Sequence, residues 1–172
     1  MDVAERFIAR SRHYLSFEYP TKIQLCLDVL PAEALWHRAN GGSNSIGNLL
    51  LHLSGNARQW IVGGVGGAPD HRRRSEEFET ADGAGAAELM SALRATLRDA
   101  DDVLARLTAE SLGESRRIQG RDVTVLDAVY HVVEHFSTHT GQIILLTKTL
   151  ADGRIRFYDA ANGLAVPVWG AE

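Results

Sequence analysis

The chain has a single cysteine, Cys26, so it can form neither an internal disulfide nor a Cys-x-x-Cys metal knuckle. Any metal it holds must rest on nitrogen and oxygen ligands. It also lacks a surplus of positive charge. Eighteen Lys and Arg against 22 Asp and Glu leave a formal net charge of −4, opposite in sign to the footprint of a general nucleic-acid binder. No apolar run reaches the length of a membrane span, and the opening Met1-Asp-Val-Ala-Glu-Arg does not follow the plan of a signal peptide. The expectation is a cytoplasmic protein with no membrane or nucleic-acid partner. Internal repeats and low-complexity tracts are missing too.

What is present suffices for one domain with a real core: 172 residues, 45% apolar. Four segments read as helices. The first covers about Val3 to Leu30, with Pro20 interrupting it. The second covers Ile46 to about Val62, capped by Ser43 or Asn44. The third, about Ala84 to Leu107, carries an apolar stripe of Leu89, Leu93, Leu97 and Leu107. The fourth starts at a cap of Thr124 with Asp127 three residues on and runs to about Leu150. Residues 70–82, with Arg72-Arg-Arg and Glu76-Glu, read as a surface loop, and 118–123 as a short extended excursion. The expected fold is all-α, a four-helix bundle with long connections over residues 1–152. A C-terminal tail, 153–172, packs on it through Tyr158, Val166, Val168 and Trp169.

Three of the seven histidines stand four residues apart in the last helix: His131, His135 and His139. Each step of four turns only about 40° and rises about 6 Å, so the imidazoles share one face. Neighbours one turn apart can bind a single cation, but His131 and His139 lie about 12 Å apart along the axis. A third ligand must come from elsewhere. His52, in the apolar run Leu49 to Leu53 of the second helix, is the candidate, because a buried imidazole needs a hydrogen bond, a carboxylate or a metal. His13, His37 and His71 sit in polar surroundings and read as surface residues. Spacing alone leaves open whether 131/135 or 135/139 is the binding pair.

His131-Val-Val-Glu134-His135 also matches H-x-x-E-H, in which Glu134 would be the general base of a zinc peptidase. Such a site needs an acidic ligand well downstream. Only Asp152, Asp159 and Glu172 follow, none in a helix aimed back at the site. A purely structural histidine stripe is the plainer alternative.

The stretch Ser45–Trp60, with Asn48, His52 and Asn56, together with Glu134–Ile143, resembles the DinB-like superfamily of metalloenzymes. The resemblance implies a four-helix bundle with a divalent metal held by one histidine of the second helix and an H-x-x-x-H pair of the fourth. Carried onto this chain, the ligands are His52, His135 and His139, with His131 outside the set. It also implies a homodimer, and either thiol-dependent transfer or isomerisation, with mycothiol or bacillithiol as the kind of thiol used, or an unassigned activity.

Three neutral imidazoles leave a coordination position open, as in catalytic zinc sites; zinc, nickel, iron or manganese all suit an N₃ set. Such a cation can activate water for hydrolysis or hold a substrate thiol as thiolate. No general base is evident, since Glu134 lies about 100° round the helix from His135. Glu18, Asp28, Glu88 and Asp99 cannot be aimed from sequence. The balance therefore favours thiol chemistry on a small molecule, with a metal-stabilised binding or dimerisation module as the alternative. Asn48, Asn56 and Gln142 are the candidates to orient the ligating imidazoles.

Overall fold

The structure is a computed structural model that describes residues 2–152, 155–161 and 164–169. It is mostly helical. Helix α1, Val3–His13, begins at a capping box in which Asp2 and Glu5 satisfy each other's backbone N–H groups. It passes without a break through a π-helical segment, Tyr14–Glu18, into α2, Tyr19–Val29. The π segment lies where the sequence places Pro20. Proline has no N–H for the carbonyl four residues back, and the wider turn absorbs the mismatch so that the helix continues.

Helix α3, Ile46–Ala57, runs on into a second π-helical segment, Arg58–Val65. Its cap is Ser45, not Ser43 or Asn44. Ser45 and Asn48 close a capping box in a fully buried setting, so the cap is chosen by reciprocal bonding to Asn48. A short helix α4, Arg74–Glu79, lies inside the segment expected to be a surface loop. Helix α5 follows at Ala86–Leu104, and α6 at Val125–Leu150, capped by Thr124 and Asp127 as the sequence indicates.

The all-α expectation needs correction in two places. Strands β1, Ser115–Ile118, and β2, Arg121–Thr124, pair as an antiparallel hairpin, and so do β3, Tyr158–Ala161, and β4, Leu164–Pro167. The first hairpin turns on Gln119 and Gly120, both at positive φ (51° and 75°), the backbone of a two-residue turn matched to strand twist.

Helix α3 packs against both α5 and α6, α2 packs against α6, and α1 touches α5. The shared core includes Ile23, Leu50, Leu53, Leu93, Val129 and Phe136, all essentially inaccessible to solvent. Burying each such side chain contributes about 1.5–3 kcal/mol, so α3 and α6, which carry the histidines, are both anchored in this core. From the C-terminal segment, Ile155 and Phe157 enter the core and Trp169 lies under the Lys22 ammonium at 4.1 Å. Tyr158, Val166 and Val168 are instead about half exposed.

Candidate metal centre

Helices α3 and α6 face each other along a polar seam inside an otherwise apolar contact. Their opposed residues form successive layers: Trp60 with His131, Asn56 with His131, then His52 with His135 and His139. The ligand atoms of His52, His135 and His139 all lie within 4.8 Å of one another. His135 Nε2 stands 3.0 Å from His52 Nε2 and 3.2 Å from His139 Nε2. Three nitrogens bound tetrahedrally at about 2.1 Å to a zinc-sized cation would be separated by about 3.4 Å, so the spacing fits one shared ion.

Proton accounting points the same way. His52 Nδ1 lies 2.8 Å from Glu77 Oε2 and 3.1 Å from Arg72 Nη2; the guanidinium has a nearer acceptor in the same Oε2 (2.8 Å), and a carboxylate can only accept, so the arrangement places the proton on Nδ1 and turns the Nε2 lone pair to the seam. His139 Nδ1 likewise donates to Gln142 Oε1 at 2.7 Å, which turns its Nε2 lone pair inward. Between them sits His135. Burial first, then the neighbouring imidazoles of His139 and His52, push its pKa down to about 3, so near neutrality it brings no positive charge. A single proton on His135 Nε2 could serve only one of two facing lone pairs, whereas a cation serves three at once. His135 Nδ1 is buried and has no protein partner among the described residues. The donor set therefore fits a divalent cation of the zinc, nickel, iron or manganese kind. Burial also lowers the pKa of His139, against the raising effect of its bond to Gln142.

His131 stands apart from this set. Its ring packs on Trp60 at 4.2 Å, and its Nε2 is 3.3 Å from Asn56 Nδ2. Asn56, a candidate to orient His52, thus serves His131 instead. Gln142 occupies the expected position behind His139. Asn48 acts at one remove. Its oxygen accepts from Ser45, and its amide donates to the carbonyls of Glu77 (2.9 Å) and Thr80 (2.7 Å), fastening α4 to α3. Glu134 is exposed on α6, takes a long bond from Thr138 and, among the described residues, makes no hydrogen bond to a triad imidazole. Glu18 pairs with Lys22, Asp28 with Gln24 and Asp99 with Arg58; none of them is bonded to a triad imidazole.

Sequence reasoning missed three residues at the site. Glu77 is buried, and Arg72 grips it with Nε on Oε1 (2.7 Å) and Nη2 on Oε2 (2.8 Å). Burial pushes the Glu77 pKa up, but the hydrogen bonds from Arg72 and His52 outweigh it and hold the carboxyl below its ordinary value. Phe78 lays its ring 4.7 Å from that of His52. The polar contacts continue outward. Arg72 Nη1 donates to Gln59 Oε1 at 2.9 Å, and the same oxygen accepts from Gln119 at the tip of the β1–β2 hairpin. The one available sequence signal was that a ligating histidine wants a carboxylate behind it.

The frame is mostly helical, and three histidines converge on one point from α3 and α6. The structure is similar to the crystal structure of a DinB-like protein, YjoA, from Bacillus subtilis, with a TM-score of 0.63. The match spans 90% of this chain and 97% of that one at 17% sequence identity, a likeness of fold. The chain belongs to the family described as "Protein of unknown function (DUF1572)", whose model matches residues 2–163. No curated protein matches it in sequence. No described helix is long and apolar enough to cross a membrane.

Proposed function

We propose that the chain is a metal-dependent enzyme of the cytoplasm, built as a DinB-type four-helix bundle, with one divalent cation on His52, His135 and His139. The observation that carries this reading is the convergence of three imidazole Nε2 atoms around a central histidine that does not itself charge near neutrality. When bound, the cation supplies Lewis acidity and can hold a substrate thiol in its ionised form. The protein orients the ligating rings through Glu77 and Gln142. Phe78 packs its ring at a tilt against that of His52.

Between hydrolysis and thiol chemistry, the disposition of carboxylates favours the second. The carboxylate bonded to the triad, Glu77, lies on the Nδ1 side of His52 and is committed to Arg72. A general base must reach the proton it abstracts. The substrate class we favour is therefore a small molecule handled with a low-molecular-weight thiol, in a transfer or an isomerisation.

Elemental analysis of tag-free wild type, His52→Ala, His131→Ala and His139→Ala tests the site. About one metal per chain is expected in wild type and His131→Ala, and none in the other two. Loss on His131→Ala with retention in His139→Ala would instead revive the H-x-x-E-H pairing. Binding titrations of metal-loaded protein with glutathione, bacillithiol and mycothiol test the chemistry; silence with all three counts against thiol use. Tyr130 and Leu145 are well exposed on α6, which favours as second reading a metal-stabilised module that self-associates. Light scattering on the eluting protein distinguishes a dimer from a monomer.

A further inference from the structure

The segment from Asp70 to Thr80 carries no metal-binding motif, yet it supplies the carboxylate behind His52. We propose that Glu77 and Arg72 are positioning residues for the cation, and that the 70–80 segment and the bound cation stabilise each other. The inference rests on the metal reading of the triad given above.

Three observations carry it. First, Glu77 decides which nitrogen of His52 keeps its proton. With Nδ1–H donated to Oε2, the Nε2 lone pair is fixed toward His135. Second, the carboxylate cannot turn away. Arg72 holds both of its oxygens, and the two side chains are 4% and 11% exposed. Such a two-point grip fixes a plane as well as a distance. Third, α3 is shaped to receive the pair. A side chain at Gly55 would overlap Glu77 Oε1 and come within 2.9 Å of Arg72 Nε. The glycine therefore lets the pair lie flush on the helix.

The segment is fastened by its backbone as well. Asn48 holds the carbonyls of Glu77 and Thr80, and Arg38 holds those of Phe78 and Thr80. If the segment lifts, Glu77 leaves with it and His52 is free to change tautomer. Losing a carboxylate behind a ligating histidine weakens metal binding by about 10–100-fold. Binding linkage is reciprocal, so saturating metal must suppress the lifted state by the same factor.

The test uses the full chain with cobalt(II) as the probe, read by visible absorption. Glu77→Ala and Gly55→Ala are both expected to bind cobalt about 10–100-fold more weakly than wild type. The second variant keeps Glu77 and Arg72 but displaces the ends of their side chains, so it carries the test if Glu77→Ala should fail to fold, with circular dichroism checking that it is folded. In metal-free wild type, long-range ¹⁵N–¹H spectra should show His52 protonated on Nδ1, with a mixture of tautomers in Gly55→Ala. Hydrogen exchange at the amides of Glu76 and Thr80, which bond to Arg73 and Glu76 carbonyls, should slow by the same 10–100-fold when cobalt is added to wild type. Equal cobalt affinity in wild type and Gly55→Ala, or a His52 protonated on Nε2, overturns the inference and leaves the metal site standing. A wild type that binds no cobalt, zinc or nickel overturns both.

Discussion

Replacing Asn48 by alanine should cost far more than an ordinary helix cap. The side chain is fully buried and joins four groups: the N–H and hydroxyl of Ser45, and the carbonyls of Glu77 and Thr80. The Ser45 hydroxyl still caps the backbone N–H of residue 48 but loses its own acceptor, at about 1 kcal/mol. The Ser45 N–H, itself inaccessible to solvent, is left without its acceptor, at about 1–3 kcal/mol. The Thr80 carbonyl keeps Arg38, but the Glu77 carbonyl loses its side-chain donor, worth about 1 kcal/mol more. The sum, about 3–5 kcal/mol, corresponds to a fall in Tm of about 6–20 °C for a chain of this size. Urea unfolding of metal-free protein followed by circular dichroism measures it directly. Asn48→Asp separates the two halves of the role. An aspartate still accepts from Ser45 but sets negative charge against two carbonyls, so α4 should loosen and become a site of protease cleavage while α3 keeps its cap. A loss under about 1 kcal/mol for Asn48→Ala would refute the claim that one amide ties the two elements together.

Two further outcomes follow from buried groups. Cys26 is inaccessible, and burial pushes its thiol pKa up from 9.0 to about 11. Its stabilising contribution is complete below the unfolded value and lost as pH rises toward 11, so alkaline titration should lower Tm more in wild type than in Cys26→Ala; Ellman's reagent should react only on unfolding. A Cβ at Gly47 would stand 2.6 Å from two ring carbons of Trp36, whose Nε1 donates to the Ala84 carbonyl at 3.2 Å. Gly47→Ala should therefore destabilise by about 1–3 kcal/mol and shift the tryptophan emission, despite alanine's better helix propensity; unchanged stability and emission would show that Trp36 gives way freely.

Parts of this architecture can be read from residue order and parts cannot, for physical reasons. The start of α6 is local: Thr124 and Asp127 satisfy each other's backbone within one turn, so sequence alone locates it. The grouping of His135 with His139 is also local, set by helical period. That His52 meets them follows from burial of an imidazole in an apolar run. Glu77 could not be found this way, because its neighbours Arg72, His52 and Gly55 gain meaning only once α4 folds back on α3. Which imidazole Asn56 faces was not legible either: α3 and α6 run in opposite directions, and this sets it opposite His131. The extended excursion at 118–123 was legible, but not its pairing as the β1–β2 hairpin, whose turn puts Gln119 at a positive φ that asparagine adopts more readily.

The polar thread from Gln119 through Gln59 and Arg72 to Glu77 and His52 bears on how the molecule can be re-engineered. An exposed two-residue turn is ordinarily where an epitope, a fluorescent reporter or a new chain end is grafted without consequence. Here the turn at Gln119–Gly120 is the outer end of a lever reaching the histidines, and a graft there would be felt at the centre. The connection at Gly83, where a Cβ would meet nothing within 4 Å, is the safer place to cut or splice.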